Sequence, residues 1–382
     1  MMIGRHAQQG MKLVLALLAA LMLGGCWDKV DLQDIGYLTA IGVDYKDEKF
    51  ILYGEMVGFS TVAKTEGGGQ FSGPLKWIGH STGDTVLYAF EELAKSSQYQ
   101  LSLDNLKSLV IHERAMVKMD EILDAMNRQR ASRYTVWLFG TRDDLHDFFA
   151  TDAIFSHSPL VSIMYTPDLM HQQASMHRPL TMQLFLQDLD ERAYTTELTN
   201  LSSERGKWAA DKKALNLNVA RGCFLFVNRK KVGYLTEEEM VGLRWVQPDF
   251  KKELLSLRVN NKPVTVGVDR VSSRLTSRLQ SNSTSFKLRV KLFIHAVELE
   301  GQQNDKDIEQ SVSDKVKDEI KRTYEAGLLQ RADVYQTKLN LYRYHTAFWK
   351  KHASSNEWLP GKGDLSIEVT TKLVNTGKYK LK

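Results

Sequence analysis

Tyr37 to Asp44 reads Y-L-T-A-I-G-V-D, and Phe50 to Val57 answers it with F-I-L-Y-G-E-M-V across Lys46-Asp47-Glu48. Both runs are rich in β-branched and aromatic residues, and the charged triplet between them is a turn signal. The pair predicts a β-hairpin at the start of the folded chain. Downstream, Leu75–Ile78, Leu106–Ile111 and Arg133–Thr141 read as strands, with helical patterns over Thr85–Lys95, Met119–Arg130 and Asp144–Phe149. Strands and helices alternate through the first 150 residues, which favours a layered α/β or α+β structure over an all-helical one. Glu66 to Gln70, E-G-G-G-Q, reads as a flexible loop.

Past residue 150 the pattern changes. Pro159, Pro167 and Pro179 limit long helices, and Met182–Leu189 has helical spacing. Asp190–Lys213 is polar and charged, and reads as a surface connection or boundary. Leu215–Val227 and Lys231–Leu235 form a second hairpin around Asn228-Arg229-Lys230, and Thr236-Glu237-Glu238-Glu239 caps a following helix. Lys262–Asp269 and Ser285–Leu299 alternate as half-buried antiparallel strands do. Ile308, Val312, Val316, Ile320 and Tyr324 recur every fourth residue, giving an amphipathic helix that Gly327 interrupts. An aromatic-rich helix over Asp333–Lys351 and a last strand over Leu365–Val374 complete the pattern.

Upstream of the hairpin, Lys12 to Trp27 reads K-L-V-L-A-L-L-A-A-L-M-L-G-G-C-W. One positive charge precedes an apolar run from Leu13 to Leu23, about half of the roughly 20 residues that span a bilayer. Length, charge and small terminal residues match a secretory signal. Leu23-Gly24-Gly25-Cys26 falls in register as a bacterial lipobox, so the expected processing bond is Gly25-Cys26. Residues 1–25 would be removed, and the Cys26 thiol would carry a diacylglyceryl group, with an N-acyl chain on the new terminus. Met11 is an alternative start, because Met1 to Gly10 adds little that a signal requires.

The remaining chain, about 357 residues, is long enough for two or three domains. At 43% apolar and 25% charged it has an ordinary globular composition, neither disordered nor integral to a membrane. The formal charge of +5 falls to +3 without Arg5 and Lys12, too balanced for nucleic-acid binding. It is unevenly spread: residues 257–382 hold 23 basic and 14 acidic side chains, leaving about −6 on residues 26–256. A basic C-terminal region suits anionic lipid or an acidic partner, or is simply a solvated surface of mixed charge. With Cys26 lipidated, Cys223 has no internal disulfide partner, and within C-F-L-F-V it reads as a buried, inert thiol.

Catalytic constellations are sparse. Gly79-His80-Ser81-Thr82-Gly83 matches the G-x-S-x-G nucleophile elbow, but too little chain precedes Ser81 for the strands that the hydrolase fold needs. Ser81-Thr82-Gly83-Asp84 reads better as a capping box. The ten histidines are scattered; His171 and His177, six apart, do not share a helical face, so no metal site is expected. No phosphate loop or dinucleotide fingerprint occurs. Tyr342, Tyr344, Phe348 and Trp349 read as a packed core stripe rather than a binding platform. No cofactor and no catalytic residue are expected.

Several of these segments resemble one family. C-W-D after the lipobox, the strand ending Gly42-Val43-Asp44, A-S-R-Y-T-V-W-L-F-G-T, the run G-C-F-L-F-V-N-R-K-K-V-G-Y-L-T-E-E-E, and a last strand ending L-V-N-T-G are similar to the Ger(x)C spore-germination lipoproteins. The resemblance implies an α+β fold of three consecutive domains, each a mostly antiparallel or mixed sheet with flanking helices. Here these would be 26–195, a small hairpin-plus-helix unit at 196–256, and 257–382. It implies a non-enzymatic, lipid-anchored subunit of a nutrient germinant receptor, with two multi-spanning membrane subunits as partners, on the extracytoplasmic face of the inner spore or cell membrane. Relatives usually carry an Asp-aromatic-Gly turn between the last two helices, whereas Asp333-Val334-Tyr335-Gln336 lacks the glycine, which leaves that turn in question. The alternatives are a lipid-anchored solute-binding protein that captures a nutrient itself and, more remotely, a serine hydrolase using Ser81.

Overall fold

A computed structural model describes residues 34–57, 76–129, 135–152, 154, 159–280, 283–301, 303–355 and 357–375. Cys26 and the Glu66–Gln70 loop lie outside these residues.

The leading hairpin forms as expected: β1 (Ile35–Lys46) pairs antiparallel with β2 (Lys49–Val57), and Asp47 and Glu48 take left-handed φ of 52° and 60° at the turn. β3 (Lys76–Gly83) adds to β2, and α1 (Val86–Ser96) folds back over this corner. β4 (Gln100–Ser102) and β5 (Ser108–His112) lie parallel to β1. After α2 (Met119–Arg128), β6 (Trp137–Thr141) extends the parallel run; α3 (Leu145–Phe149), α4 (Pro167–Gln173) and α5 (Met182–Asp190) then lead into β7 (Thr195–Ala210). β7 joins β6 in parallel and turns antiparallel into β8 (Lys213–Val227), which pairs with β9 (Lys230–Leu235). Among the described residues one nine-stranded mixed sheet results, in the order β3-β2-β1-β5-β6-β7-β8-β9 with β4 beside β1.

α6 (Glu237–Met240) opens with the full Thr236–Glu239 capping box, and a 3-10 stretch, Val241–Val246, leads into a second sheet. Its order is β10 (Glu253–Val259), β11 (Lys262–Leu279), β12 (Thr284–Leu299) and β13 (Leu365–Asn375), the last parallel to β12 across the helical connection. α7 (Asp305–Leu329) buries Ile308, Val312, Val316, Ile320 and Tyr324 against one face of this sheet. The α+β class with mixed sheets therefore holds, on two sheets among the described residues.

Several expectations need correction. Asp190–Lys213 is no connection, because β7 runs through it; polar side chains suit its outer half, which stands beside β8 with both faces wet. The unit expected at 196–256 has no sheet of its own: its hairpin continues the first sheet, and its helix packs in the second core. Gly327 does not interrupt α7, because a Cβ there would meet Val334 at 2.8 Å and glycine lets the returning chain approach. The last helix starts late: α8 (Thr337–Tyr344) is followed by a short turn and a π-type segment, Trp349–Ala353. Its aromatic stripe is core only in part: Phe348 and Trp349 pack against the second core, Tyr342 stacks edge-on to Trp349, and Tyr344 is 73% exposed.

The two halves share a strand. Along β8 the pleat alternates: Phe224 and Phe226 enter the core under the first sheet, whereas Cys223 and Leu225 enter the core of the second unit. Burial pushes the Cys223 thiol well above its ordinary range, which keeps it protonated.

Candidate functional site

Cys26 lies outside the described residues, so the described candidates are Ser81, the I-G-V-D aspartate, the histidine pair and the junction between the halves.

Ser81 is in the interior of β3, not on a turn after it. Its hydroxyl donates to the Ala89 carbonyl at 2.5 Å, and His80 points the other way to stack on Tyr53. Gly79, Ser81 and Gly83 share one face of the strand. A Cβ on Gly79 would meet Leu93 at 2.9 Å, and one on Gly83 would meet the Ala89 nitrogen at 2.5 Å. The G-x-S-x-G spacing thus builds a shallow seat for α1. The capping box expected at Ser81 is also corrected: Thr85 is the cap and accepts from the Tyr88 amide at 3.2 Å.

Asp44, at the end of Gly42-Val43-Asp44, is buried where β1 meets the segment after β5. The Arg114 guanidinium grips it with both forks, Nε donating to Oδ1 at 3.1 Å, and His112 Nδ1 sits 3.3 Å away. Burial works to raise the Asp44 pKa, but the hydrogen bonds of His112 and Arg114 prevail and hold it well below the usual carboxylate range. With Gly42 giving room to the Phe149 ring, the motif reads as a structural clamp. Arg114 carried no sequence signal.

His171 and His177 do come together, but through the backbone. His171 places Nδ1 2.9 Å from the His177 carbonyl and Nε2 3.1 Å from the Asp249 carbonyl, which engages both ring nitrogens. Among the described residues no cluster of His, Cys, Asp and Glu is arranged to hold a metal. The His177 nitrogens have no partner among the described residues, and burial followed by the nearby Arg221 charge pushes its pKa down to about 4. The neutral ring lines a mostly apolar cleft of about 270 Å³ with Met170, Pro179, Val219 and Arg221.

Across the junction lies a smaller cavity of about 100 Å³, bounded by Arg178, Asp188, Glu197, Cys223 and Gln336. Burial pushes Glu197 up to about 7, with Arg178 working against it and Asp188 with it. Arg178 sits 3.6 Å from Asp188. No activated nucleophile stands here, since the thiol is protonated and enclosed. The group that closes the junction is Gln336, which was legible only as the departure from Asp-aromatic-Gly. It takes the left-handed conformation, φ 58° and ψ 35°, that glycine would adopt. Its side chain then brackets Thr195, Oε1 accepting from the Thr195 amide at 3.0 Å and Nε2 donating to the Thr195 carbonyl at 2.8 Å. The turn survives without its glycine. Asp333 caps the first turn of α8 from within, accepting from Thr337 Oγ1 at 2.9 Å and the Lys338 amide at 2.6 Å.

Behind this turn the 3-10 stretch and α7 share a buried polar knot. Arg244 reaches Glu319 at 3.0 Å and Glu253 at 3.2 Å, and Trp245 Nε1 donates to Glu319 at 2.8 Å.

Comparison with known proteins matches both halves in order. Residues 28–202 match the family model described as spore germination protein N-terminal domain, and residues 221–377 the one described as spore germination B3/GerAC like, C-terminal. Among curated proteins of Bacillus subtilis (strain 168), the chain is similar to spore germination protein KC, 22% identical over 93% of this chain and 92% of that one. It is also similar to spore germination protein B3, 19% identical over 94% and 95%. The match to the putative spore germination protein YfkR, 23% identical, spans 64% of each chain. The crystal structure of the GerBC protein superposes with a TM-score of 0.56 at 14% identity, covering 88% of this chain and 97% of that one, which shows a shared fold. With both family models matched in sequence order and the fold common to GerBC, this chain belongs to the Ger(x)C family of spore germination proteins.

Proposed function

We propose that the chain is a lipid-anchored, non-enzymatic subunit of a spore germinant receptor, acting in nutrient-triggered germination beside two multi-spanning membrane subunits. The observation that carries this reading is the ordered match of both family models, over 28–202 and 221–377, with proteins named for spore germination. The lipobox ending in Cys26 supplies the attachment, and among the described residues no helix is long and apolar enough to cross a membrane. A diacylglyceryl and N-acyl lipid on Cys26 confines the folded part to the extracytoplasmic surface of the inner spore or cell membrane. Confinement raises its effective concentration beside its partners even where each contact is weak. More than one acyl chain is needed for stable attachment, which the lipobox chemistry provides.

Replacing Cys26 by Ala tests this reading. After a high-salt wash, which releases protein held by charge alone, the variant is expected in the soluble fraction of sporulating cells, and its spores are expected to respond more slowly to nutrients. A variant that stays with the membrane and germinates normally would overturn the anchoring mechanism.

A further inference from the structure

The second sheet has one covered face and one open face. α7 and α8 pack on the side of Val264, Leu275, Leu288 and Val290, while the opposite side chains face solvent. From the bulge at Val268–Arg270 to the hairpin tip, that open side carries Arg270, Arg274 and Arg278 along β11 and Lys287, Arg289 and Lys291 along β12. Within that stretch the acids are Glu368 on β13, which pairs with Lys287 at 2.5 Å and Arg289 at 3.5 Å, and Asp269 in the bulge, 2.7 Å from His295 Nδ1; β13 also contributes Lys372. Arg274 stands directly opposite Arg289 in the register. Like charges directly across a strand pair are destabilising. Arg274, Arg278 and Lys291 have no acidic partner among the described residues, so the fold gains no ion pair from keeping them on this face.

We infer that this face rests on the anionic headgroups of a phospholipid bilayer. The inference builds on the reading above, that the chain works at a membrane, and adds which side of the molecule meets it. Two observations choose lipid over an acidic protein. The charged stretch lacks the exposed aromatic anchors that dominate protein interfaces; its one ring, Phe293, lies under the Arg270 guanidinium at 4.2 Å. The second is where the chain emerges. Gly42, Val110 and Phe139 are level in the parallel run, and Thr199 is level with Phe139 through the Gly140–Asn200 pair. Ile35 and Thr195 both lie before that level, so the start of β1 is at the end of the first sheet where Gln336 docks the second unit. From Cys26 to Asp34 is eight residues, a reach of about 27 Å at most. A different exposed feature, both basic and aromatic, is the β7–β8 tip, with Trp208 60% exposed beside Lys207, Lys212 and Lys213. It points the opposite way, about 60 Å from Ile35 along the strand axis at roughly 3.3 Å per residue.

The test uses the chain from Trp27 onward, which keeps all three buried clusters of the described residues entire, since each begins at or beyond Leu38. Its outcome does not depend on Cys26, so it can fail while the anchoring test succeeds, and the reverse. Cosedimentation with phosphatidylglycerol–phosphatidylcholine vesicles should show binding that phosphatidylcholine alone does not give and that rising salt weakens. The triple variant Arg274→Ser, Arg278→Ser, Lys291→Ser should bind on the order of a hundredfold more weakly, from about fivefold per charge near the surface. Its thermal midpoint should not fall, since the substitutions relieve repulsion. Absence of binding to anionic vesicles at low salt overturns the inference. Equal binding by the folded variant also overturns it and would leave the face to an acidic protein.

Discussion

Replacing Gln336 by Gly sets two effects of the same residue against each other. Glycine relieves the left-handed backbone, a gain of about 1–2 kcal/mol. It also removes both hydrogen bonds to Thr195, which is only 3% exposed. β6 pairs with β7 only at Asn200 and Leu201, so the Gln336 amide serves as the missing strand beside Thr195. Losing it leaves a buried N–H and a buried carbonyl unpaired, at about 1–3 kcal/mol each. The loss outweighs the relief, and Gln336→Gly should destabilise the protein by about 2 kcal/mol. Gln336→Ala keeps the strained backbone and loses the same bonds, so it should fall about 1 kcal/mol below the glycine variant. Urea unfolding at constant slope reads both differences directly. A glycine variant as stable as the parent would refute the bracket, and alanine equal to glycine would refute the strain.

Other outcomes follow from the buried charges and the serine. Glu319→Ala leaves Arg244 with Glu253 as its remaining acid and Trp245 Nε1 without its acceptor, and should cost about 3 kcal/mol, whereas a loss below 1 kcal/mol would mean the knot is not desolvated. Asp44 is depressed in the folded state, so its stabilisation is complete above the unfolded carboxylate range near pH 4 and fades as pH falls further. Asp44→Asn should therefore lie roughly 2 kcal/mol below the parent at pH 7, with a gap that narrows below about pH 4; a pH-independent gap would exclude the linkage. Ser81→Ala should cost about 1 kcal/mol through the lost bond to Ala89, and leave hydrolysis of simple esters at background; a real esterase activity lost with Ser81 would reverse this assignment.

Sequence was most informative where one face of an element is buried and the other is not. The β1–β2 hairpin, the fourth-residue spacing of α7 and the alternation of β12 all announce a core side, and all three form. It was least informative for β7. That strand's outer half has no core to face, so its residues carry no alternation to read. Gly79-x-Ser81-x-Gly83 shows the reverse failure, a motif whose letters serve close helix packing. The charge excess of the last third was visible as a sum, but its gathering on one side of a sheet needs the register, including the bulge after Val268. Arg114 and Glu319 were invisible because their partners lie 70 and 75 residues away, at Asp44 and Arg244.

The alternation along β8 has a mechanical meaning. Phe224 and Phe226 are gripped on one side and Cys223 and Leu225 on the other, so the two halves cannot turn about a flexible joint without unseating a strand from a core. A push delivered to the open sheet face is carried to the first sheet as displacement of the whole body. Relative movement of the two halves would therefore have to begin with the side chains of β8 leaving one of their cores.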